Sequence, residues 1–388
     1  MKQILLFFVF SFSILNSQTL KKVKIEDAET GKAIPNVRII LADQIFYSND
    51  DGSISLPKDA KQFEVSFTGY ETLKTSKFQS SIKLKPLYND IDEVKIVSVD
   101  IKKIFTDVSK NYTNRYYDKP AIFDVTYSQK RFENNKMKLL VVADGKFWTR
   151  DGQYNAKEAF NGKHKNFVQL QIDTLRYLKL ENNDFNIKVK PQKVSHQPVG
   201  SMFFDYELFY MMRRSKNKNA VTSGKLLYEN EFEQEISYKI KMTDNITYTG
   251  TFRYNKADKV ITLFEMNFKQ SNASLEVFKD EDGFEYQRQS PDGTYIFEFY
   301  KSGEKYVPSK ISIRYEGIKY AMGDKVFEYR NARDIIFKSF KPTEERGVQN
   351  PVDINGYFWK NMKISDDKGL VNLSEEELNF INDKADEN

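Results

Sequence analysis

Histidine and cysteine, which carry much of catalytic and metal chemistry, are nearly absent from this chain. It has no cysteine, so disulfides, thiol catalysis and cysteine-based zinc sites are excluded. His164 and His196 stand in polar segments, and neither begins the His-x-x-Glu or His-Glu-x-x-His spacing of a zinc site. No Gly-x-Ser-x-Gly elbow or Walker-type phosphate loop occurs. We therefore expect no enzyme, with no catalytic residue, no cofactor and no bound metal.

Carboxylate pairs leave one catalytic alternative open. Glycoside hydrolysis needs two carboxyl groups about 5–10 Å apart, a distance that spacing in the sequence does not report. The chain has 55 acidic residues, so the presence of suitable pairs is unspecific. A glycan- or peptide-processing hydrolase is therefore kept as the weaker alternative.

A segment rich in aromatic residues and methionine is the strongest candidate for ligand contact. Residues 202–212 would form a helix that is apolar nearly all round, with Asp205 and Glu207 as the exceptions. Such a helix is normally buried in a core. In the alternative interpretation it is a lid or plug over an apolar cavity, because methionine and phenylalanine adapt to varied ligands. The ligand-binding residues predicted on that interpretation are Met202, Phe203, Tyr206, Phe209 and Tyr210.

The charge balance argues against a nucleic-acid partner. Sixty lysines and arginines stand against 55 acidic residues, for a formal net charge of +5. The two signs are mixed along the chain, so no extended positive field is available to hold a phosphate backbone.

The first 17 residues have the pattern of a secretory signal peptide. Lys2 precedes an apolar run over residues 4–15, and Ser17 is a small residue at a cleavage point. The run is shorter than the roughly 20 apolar residues that cross a bilayer. We expect a periplasmic or outer-membrane-associated protein, cleaved near Ser17 and peripheral to the membrane at most. An uncleaved N-terminal anchor is the alternative.

Residues 20–97 carry short strand patterns in quick succession. Val23 and Ile25 alternate with charged neighbours, Phe63 and Val65 alternate with polar ones, and residues 49–52 form a strong turn signal. Seven or so short strands in such a length predict a small β-sandwich.

The order of the motifs in this domain resembles the carboxypeptidase-regulatory-like domain, a transthyretin-like sandwich. The matching segments are residues 23–27, 30–37, 49–56 and 65–71. Residues 91–94 resemble the stretch that ends this domain in bacterial outer-membrane receptors and related envelope proteins. The resemblance implies an accessory module without peptidase activity.

Residues 98–341 predict one large sheet with packed helices. Ile101, Phe105 and Val108 recur at helical spacing behind Asp100, a good N-cap, which predicts a helix near 100–114, and a second is predicted near 202–213. Alternating strands at intervals of roughly ten residues predict a curved, half-barrel-like antiparallel sheet. The fold class is therefore mainly β. Residues 342–388 would form a C-terminal extension with a short helix that starts at Ser374.

The curved sheet is also loosely similar to the half-barrel of periplasmic lipoprotein carriers, whose concave face holds acyl chains. Together these features predict a non-catalytic exported cell-envelope protein that binds an apolar or extended, lipid-like ligand or an outer-membrane protein. The alternative is a structural or assembly module that uses exposed sheet edges and has no small ligand.

Overall fold

The described chain is a mainly β protein. The computed structural model describes residues 20–42, 44–58, 62–76, 79–87, 97–182, 184, 197–243, 245–270, 274–280, 282–354, 356–369 and 371–383. Strands account for 52% and helices for 14%, which confirms the predicted fold class. The predicted signal peptide (1–17), the stretch 91–94 and His196 lie outside the described residues.

Seven short strands form a two-sheet sandwich at the N-terminal end. They are β1 (Leu20–Asp27), β2 (Arg38–Leu41), β3 (Gln44–Tyr47), β4 (Ser53–Pro57), β5 (Phe63–Ser66), β6 (Leu73–Thr75) and β7 (Ser81–Leu84). One sheet has the order β4-β1-β7 and the other β3-β2-β5-β6. Because side chains alternate along each strand, Val23, Ile25, Ile39 and Val65 point into one core and are fully buried.

The turn before β4 shows why the sequence signal at residues 49–52 is strong. The side-chain oxygen of Asn49 accepts the backbone N–H groups of Asp51 (3.0 Å) and Ser53 (2.8 Å). Gly52 adopts φ +70°, and a Cβ there would lie 2.9 Å from the carbonyl oxygen of Ile25. Only glycine meets both requirements without strain.

Thirteen strands form the second, larger sheet. They are β8 (Ala121–Glu133), β9 (Lys136–Thr149), β10 (Val168–Leu180), β11 (Val221–Glu229), β12 (Glu233–Lys241), β13 (Ile246–Asn255), β14 (Val260–Gln270), β15 (Glu276–Lys279), β16 (Glu285–Gln289), β17 (Asp292–Ser302), β18 (Lys305–Met322), β19 (Lys325–Phe337) and β20 (Lys341–Pro342). The main order is β10-β9-β8-β19-β18-β17-β14-β13-β12-β11, with β15 beside β16, β16 beside β18 and β20 beside β8. Every pair is antiparallel, and the sheet stays open, with β10 and β11 at its two ends.

The helices of the described chain are short. They are α1 (Ile101–Lys110), α2 (Tyr112–Arg115), α3 (Ala156–Phe160), α4 (Gln197–Gly200), α5 (Phe204–Ser215) and α6 (Glu375–Asn382). Helix α1 starts as predicted, because the Asp100 side chain accepts the backbone N–H of Lys103. Helix α5 begins two residues later than predicted, since Met202 and Phe203 form a turn that follows α4. No helix in the described part of the chain is long and apolar enough to cross a bilayer.

Helices α1 and α5 pack on one face of the large sheet, which we call the helix face. Phe105 of α1 is fully buried, and its ring centroid lies 5.3 Å from that of Phe252 and 5.5 Å from that of Tyr238. Phe204 of α5 packs in the same way on Phe297, at 5.6 Å. The helix face therefore carries the main hydrophobic core.

The sandwich packs on the opposite face of the large sheet, the outer face. The Tyr47 hydroxyl lies 3.0 Å from both a carboxylate oxygen of Glu298 and the hydroxyl of Ser309. The Lys310 ammonium is buried in this contact and donates to the side chain of Asn36 at 2.6 Å. Glu298, Ser309 and Lys310 come from outward positions of β17 and β18, so buried hydrogen bonds are part of the contact between the two β units.

The C-terminal segment covers part of the outer face and one sheet end. Ser374 and Glu377 form a capping box at the start of α6, the short helix that the sequence predicts here. Phe380 of this helix packs on Leu140 and Val142 of β9. Short bridges from the same segment reach β10, and backbone bonds from residues 97–99 reach β11, so both ends of the sheet are partly covered.

Candidate functional site: a cleft beside helix α5

The helix face divides into a tightly packed part and a cleft. In the packed part, around Phe105 and Phe204, a cavity of about 50 Å³ lies beside Phe203. A cavity of that size holds no more than a water or two. The concave side of the sheet is therefore filled there by its own side chains.

On the other side of α5 the sheet and the helix enclose a cleft of about 580 Å³, which we call the α5 cleft. Strands β13, β14, β16, β17 and β18 form its walls. This volume falls within the range of small-molecule sites, roughly 300–1,000 Å³. Six aromatic side chains line it: Tyr206, Tyr210, Tyr248, Phe268, Tyr295 and Tyr315.

Helical spacing explains how α5 serves both parts. Phe204, Leu208 and Met211 recur at intervals of four and three and are buried in the packed part. Tyr206 and Tyr210, four residues apart, lie on the neighbouring stripe and line the cleft. One helix thus seals the core with one side and forms a wall of the cleft with the adjacent side.

The tyrosine hydroxyls in the cleft are arranged in pairs. The Tyr295 and Tyr315 oxygens lie 2.9 Å apart, and the Tyr206 hydroxyl lies 3.4 Å from that of Tyr210. Burial raises the pKa of Tyr206 and Tyr295, so these hydroxyls stay protonated at neutral pH. The wall therefore offers apolar ring faces together with neutral donors and acceptors.

Glu207 is the most unusual group in the cleft. It is only 7% exposed, and no described residue forms a hydrogen bond with its carboxyl group. Burial raises the pKa of Glu207 to about 8, and the nearby Arg214 guanidinium opposes the shift only in part. A buried carboxyl without a partner is costly, because its hydration is lost and not replaced.

Asp205 is half-buried, and its carboxylate has backbone partners. Both of its carboxylate oxygens lie 3.2 Å from the backbone nitrogen of Tyr154, which donates to them. Burial still raises the pKa of Asp205, to about 7, although these N–H contacts lower it. Asp205 therefore fastens the loop before α3 to the start of α5, and it is not part of the cleft lining.

Two arginines supply the positive charge of the α5 cleft. The Arg214 guanidinium lies 4.2 Å from the ring centroid of Tyr248 and 5.4 Å from that of Tyr210, within the range of cation–π contacts. Arg288 reaches the cleft from β16, and its ring contact is with Tyr320, at 5.9 Å. The Arg288 Nε is buried and has no hydrogen-bond partner among the described residues.

The five predicted ligand-binding residues lie in three different places in the structure. Tyr206 and Tyr210 line the α5 cleft. Met202 and Phe203 are buried, at 3% and 4% exposure, and line the small cavity of the packed part instead. Phe209 lies on the outside of α5 at 44% exposure, with the Arg213 guanidinium over its ring at 5.7 Å. The predicted helix that is apolar nearly all round is thus buried on one side only.

Most of the cleft is formed by residues that sequence reasoning missed. Tyr248, Tyr295, Tyr315 and Arg288 come from four separate strands, and only the register of the sheet brings them together. Glu207 had a sequence signal, because it interrupts an otherwise apolar stretch.

The described histidine shows no link to the α5 cleft. His164 lies in a one-turn 3₁₀ helix, His164–Asn166, and burial lowers its pKa. Within the described ranges, no three histidine, aspartate or glutamate side chains are grouped so that they could hold a metal ion.

Comparisons with known proteins add little at this point. No protein-family model matches the chain, and no curated protein does. A lipovitellin structure concerned with lipid–protein interactions is similar at 7% identity and a TM-score of 0.25, over 61% of this chain and 27% of that one. A putative membrane-associated protein of unknown function from Bacteroides fragilis NCTC 9343 is similar at 9% identity and a TM-score of 0.14, over 83% and 97% of the two chains. Similarities this weak support no argument about function.

Proposed function

We propose that this chain is a non-catalytic binding protein of the cell envelope, and that it holds an apolar or extended ligand in the α5 cleft. One observation carries the proposal. The helix face is packed to a residual cavity of about 50 Å³ on one side of α5, whereas a cleft of about 580 Å³ lies on the other. Folded interiors are normally close-packed, so a cleft of this size inside an aromatic wall is typical of a ligand site.

The composition of the cleft favours binding over hydrolysis. Glu207 is the single acidic residue among the described side chains that line it. Glycoside hydrolysis needs two carboxyl groups about 5–10 Å apart on either side of the bond that is cut. Asp205 does not serve as the second, because its carboxylate faces the backbone of Tyr154. The hydrolase alternative therefore has no support from this site.

The assembly-module alternative also receives less support. Recruitment of a partner by strand addition needs an exposed sheet edge. Residues 97–99 bond to β11, and the C-terminal segment forms bridges to β10, at Leu170 and Leu175. The ends of the large sheet are thus partly occupied by the chain itself, and the short strand β15 leaves a smaller edge.

The envelope part of the proposal rests on the N-terminal pattern and on the resemblance of residues 20–97 to carboxypeptidase-regulatory-like domains. In this proposal the sandwich docks on an outer-membrane partner or surface, while the large sheet holds the ligand. The hydrogen-bonded contact through Tyr47 and Lys310 would keep the two units in one orientation.

The proposal is tested by extraction of bound molecules. The full chain is incubated with a cell-envelope extract, repurified, and extracted for mass spectrometry. Gln270 lines the cleft on β14, and a Gln270→Trp variant places a bulky ring there. We expect the wild-type protein to retain a defined apolar or extended molecule and the variant to lose most of it.

Lys269→Trp is the matched control. Lys269 is the preceding residue of the same strand, is exposed, and points to the other side of the sheet. Its tryptophan should leave the captured molecule in place. A wild-type protein that is repeatedly recovered without any bound molecule, or equal loss in both variants, would contradict the proposal.

A further inference from the structure

Arg288 carries a positive charge into the α5 cleft that no described carboxylate neutralises through an ion pair. The Arg288 side chain forms no ion pair or hydrogen bond with any described residue, and its Nε is buried. A guanidinium has five N–H donors in a fixed plane, an arrangement that matches carboxylate and phosphate oxygens. The arginine is therefore positioned to receive an oxyanion from outside the chain.

Glu207 is the second group of the cleft without a partner in the described protein. Only 7% of Glu207 is exposed to solvent, and it lines the same cleft as Arg288. Burial raises the pKa of Glu207 to about 8, so the carboxyl group is mostly protonated at pH 7. In that form Glu207 adds no negative charge and offers an O–H donor.

The charge of the cleft disfavours a cationic ligand. The Arg214 guanidinium already lies over the rings of Tyr210 and Tyr248, so a second cation would meet an occupied aromatic surface. Arg288 forms no ion pair with a described side chain and adds positive charge to the lining, whereas Glu207 is mostly uncharged at neutral pH. Coulomb repulsion in a partly buried site is worth several times its value in water.

Building on the proposed function, we propose that the ligand is an amphiphile with an oxyanion head group, which Arg288 holds while its apolar chain lies along the aromatic wall. The head group is a carboxylate or a phosphate, since both present the planar or near-planar oxygen pairs that guanidinium recognises. Ile246, Met266 and Phe268 supply apolar surface for the chain.

Glu207 makes this binding depend on pH. Its protonated form donates a hydrogen bond to the head group, whereas its ionised form repels the head group. Affinity for an anionic head is therefore expected to fall as pH rises through about 8. The titratable and charged groups that interact with Glu207 come from several elements: Asp205, Tyr206 and Arg214 on α5, Tyr238 on β12 and Tyr295 on β17.

The test uses four probes that share one dodecyl chain and differ in the head group. Dodecanoate, dodecyl phosphate, dodecyltrimethylammonium and dodecyl maltoside are titrated into the full chain by calorimetry at pH 7, below their micelle concentrations. We expect the two anionic probes to bind about tenfold or more tightly than the other two, which corresponds to one hydrogen bond to a charged group. Sodium phosphate alone is expected to bind far more weakly than dodecyl phosphate.

Arg288→Gln locates the head group. The variant should weaken dodecanoate about tenfold and leave dodecyl maltoside unchanged. Arg330→Gln is the matched control, because the Arg330 Nε is also buried without a partner in the described chain but lies over Phe132, away from the cleft. The control should leave every affinity unchanged. Glu207→Gln should remove the weakening of dodecanoate above pH 8.

The outcomes separate the two proposals. If all four probes bind equally well and Arg288→Gln changes nothing, the head-group inference is wrong and the apolar binding function stands. Tighter binding of the cationic or the sugar head also overturns the inference, as does sodium phosphate binding as tightly as dodecyl phosphate. If no probe binds, the proposed function fails with it.

Discussion

The two sides of helix α5 make opposite use of the same sheet. On the packed side, Phe204, Leu208 and Met211 are buried in the core, and the Tyr116 hydroxyl is hydrogen-bonded to both backbone groups of Ile261. On the cleft side, Glu207 and Arg288 face a space of about 580 Å³ without hydrogen bonds to described residues.

The contrast separates stability from function. Buried polar groups in folded proteins are almost always hydrogen-bonded, because a group without a partner loses its hydration and gains no hydrogen bond in return. The Tyr116 hydroxyl follows that rule, whereas the Glu207 carboxyl group and the Arg288 Nε do not. Other buried atoms of the described chain, such as the Nε of Arg131 and of Arg330, also lack a partner, but Glu207 and Arg288 face a cleft in which a ligand can complete the hydrogen bonding. Substitutions on each side of α5 test this contrast.

The largest effect is expected from Phe105→Ala on the packed side. Phe105 is fully buried against three aromatic rings, so its removal leaves a cavity and should cost about 3–5 kcal/mol of unfolding free energy. Urea denaturation measures it. Phe232→Ala removes the same side chain where it is 65% exposed and should cost less than about 0.5 kcal/mol. Equal costs for the two would show that the helix face is not the main core.

Glu207→Gln should stabilise the protein, whereas Phe105→Ala should destabilise it. An acid whose pKa is raised by folding binds its proton more tightly in the folded state, so it lowers stability as pH rises above its unfolded pKa. For Glu207 the window runs from the usual value of 4.5 to about 8. The variant should match the wild type near pH 4 and exceed it by about 2–4 kcal/mol at pH 9. Urea titrations at both pH values measure this, and a variant less stable at pH 9 would contradict it.

Tyr116→Phe probes the satisfied hydroxyl of the packed side. The Tyr116 hydroxyl donates to the carbonyl oxygen of Ile261 at 2.8 Å and accepts its N–H at 3.0 Å. Its loss leaves two buried backbone groups short of a partner, so we expect a cost of about 1–3 kcal/mol. The cost should not vary between pH 5 and 9, since no nearby titration is involved. A pH-dependent cost would break the contrast with Glu207.

The smallest effect is expected from Phe209→Ala. Phe209 is 44% exposed, and its ring contacts the Arg213 guanidinium at 5.7 Å and the Tyr210 ring edge-on at 6.2 Å, each contact worth about 0.5 kcal/mol. Stability should change by no more than about 1 kcal/mol, and the molecule captured from envelope extract should stay bound. Loss of the captured molecule would place the ligand on the outside of α5 and would contradict its assignment to the α5 cleft.

The sheet could be predicted from the sequence because strand alternation is a local signal. Tyr295, Phe297 and Phe299 face the core while their neighbours face outward, and this two-residue period is visible without any partner strand. Helix α1 was equally local, since Asp100 and the spacing of its apolar residues define it. These features need no information about the rest of the chain.

The α5 cleft could be predicted only in part, because it depends on distant pairing. The local pattern identified the helix and two of its wall residues, Tyr206 and Tyr210, but it could not tell which side of the helix meets packed strands. Phe209 shares the residue type of a core position and still faces outward. Arg288 lies on a short strand whose place beside β18 is set by pairing at Gln287–Ala321, which no local pattern reports.

A crystal structure of the full chain purified from the envelope of its own cells tests the ligand site most directly. We predict elongated electron density between α5 and strand β14, with one end within hydrogen-bond distance of Arg288 and Glu207. Density for ordered water alone, with Glu207 turned to pair with Arg214, would contradict the claim that the cleft is completed by a molecule from outside the chain.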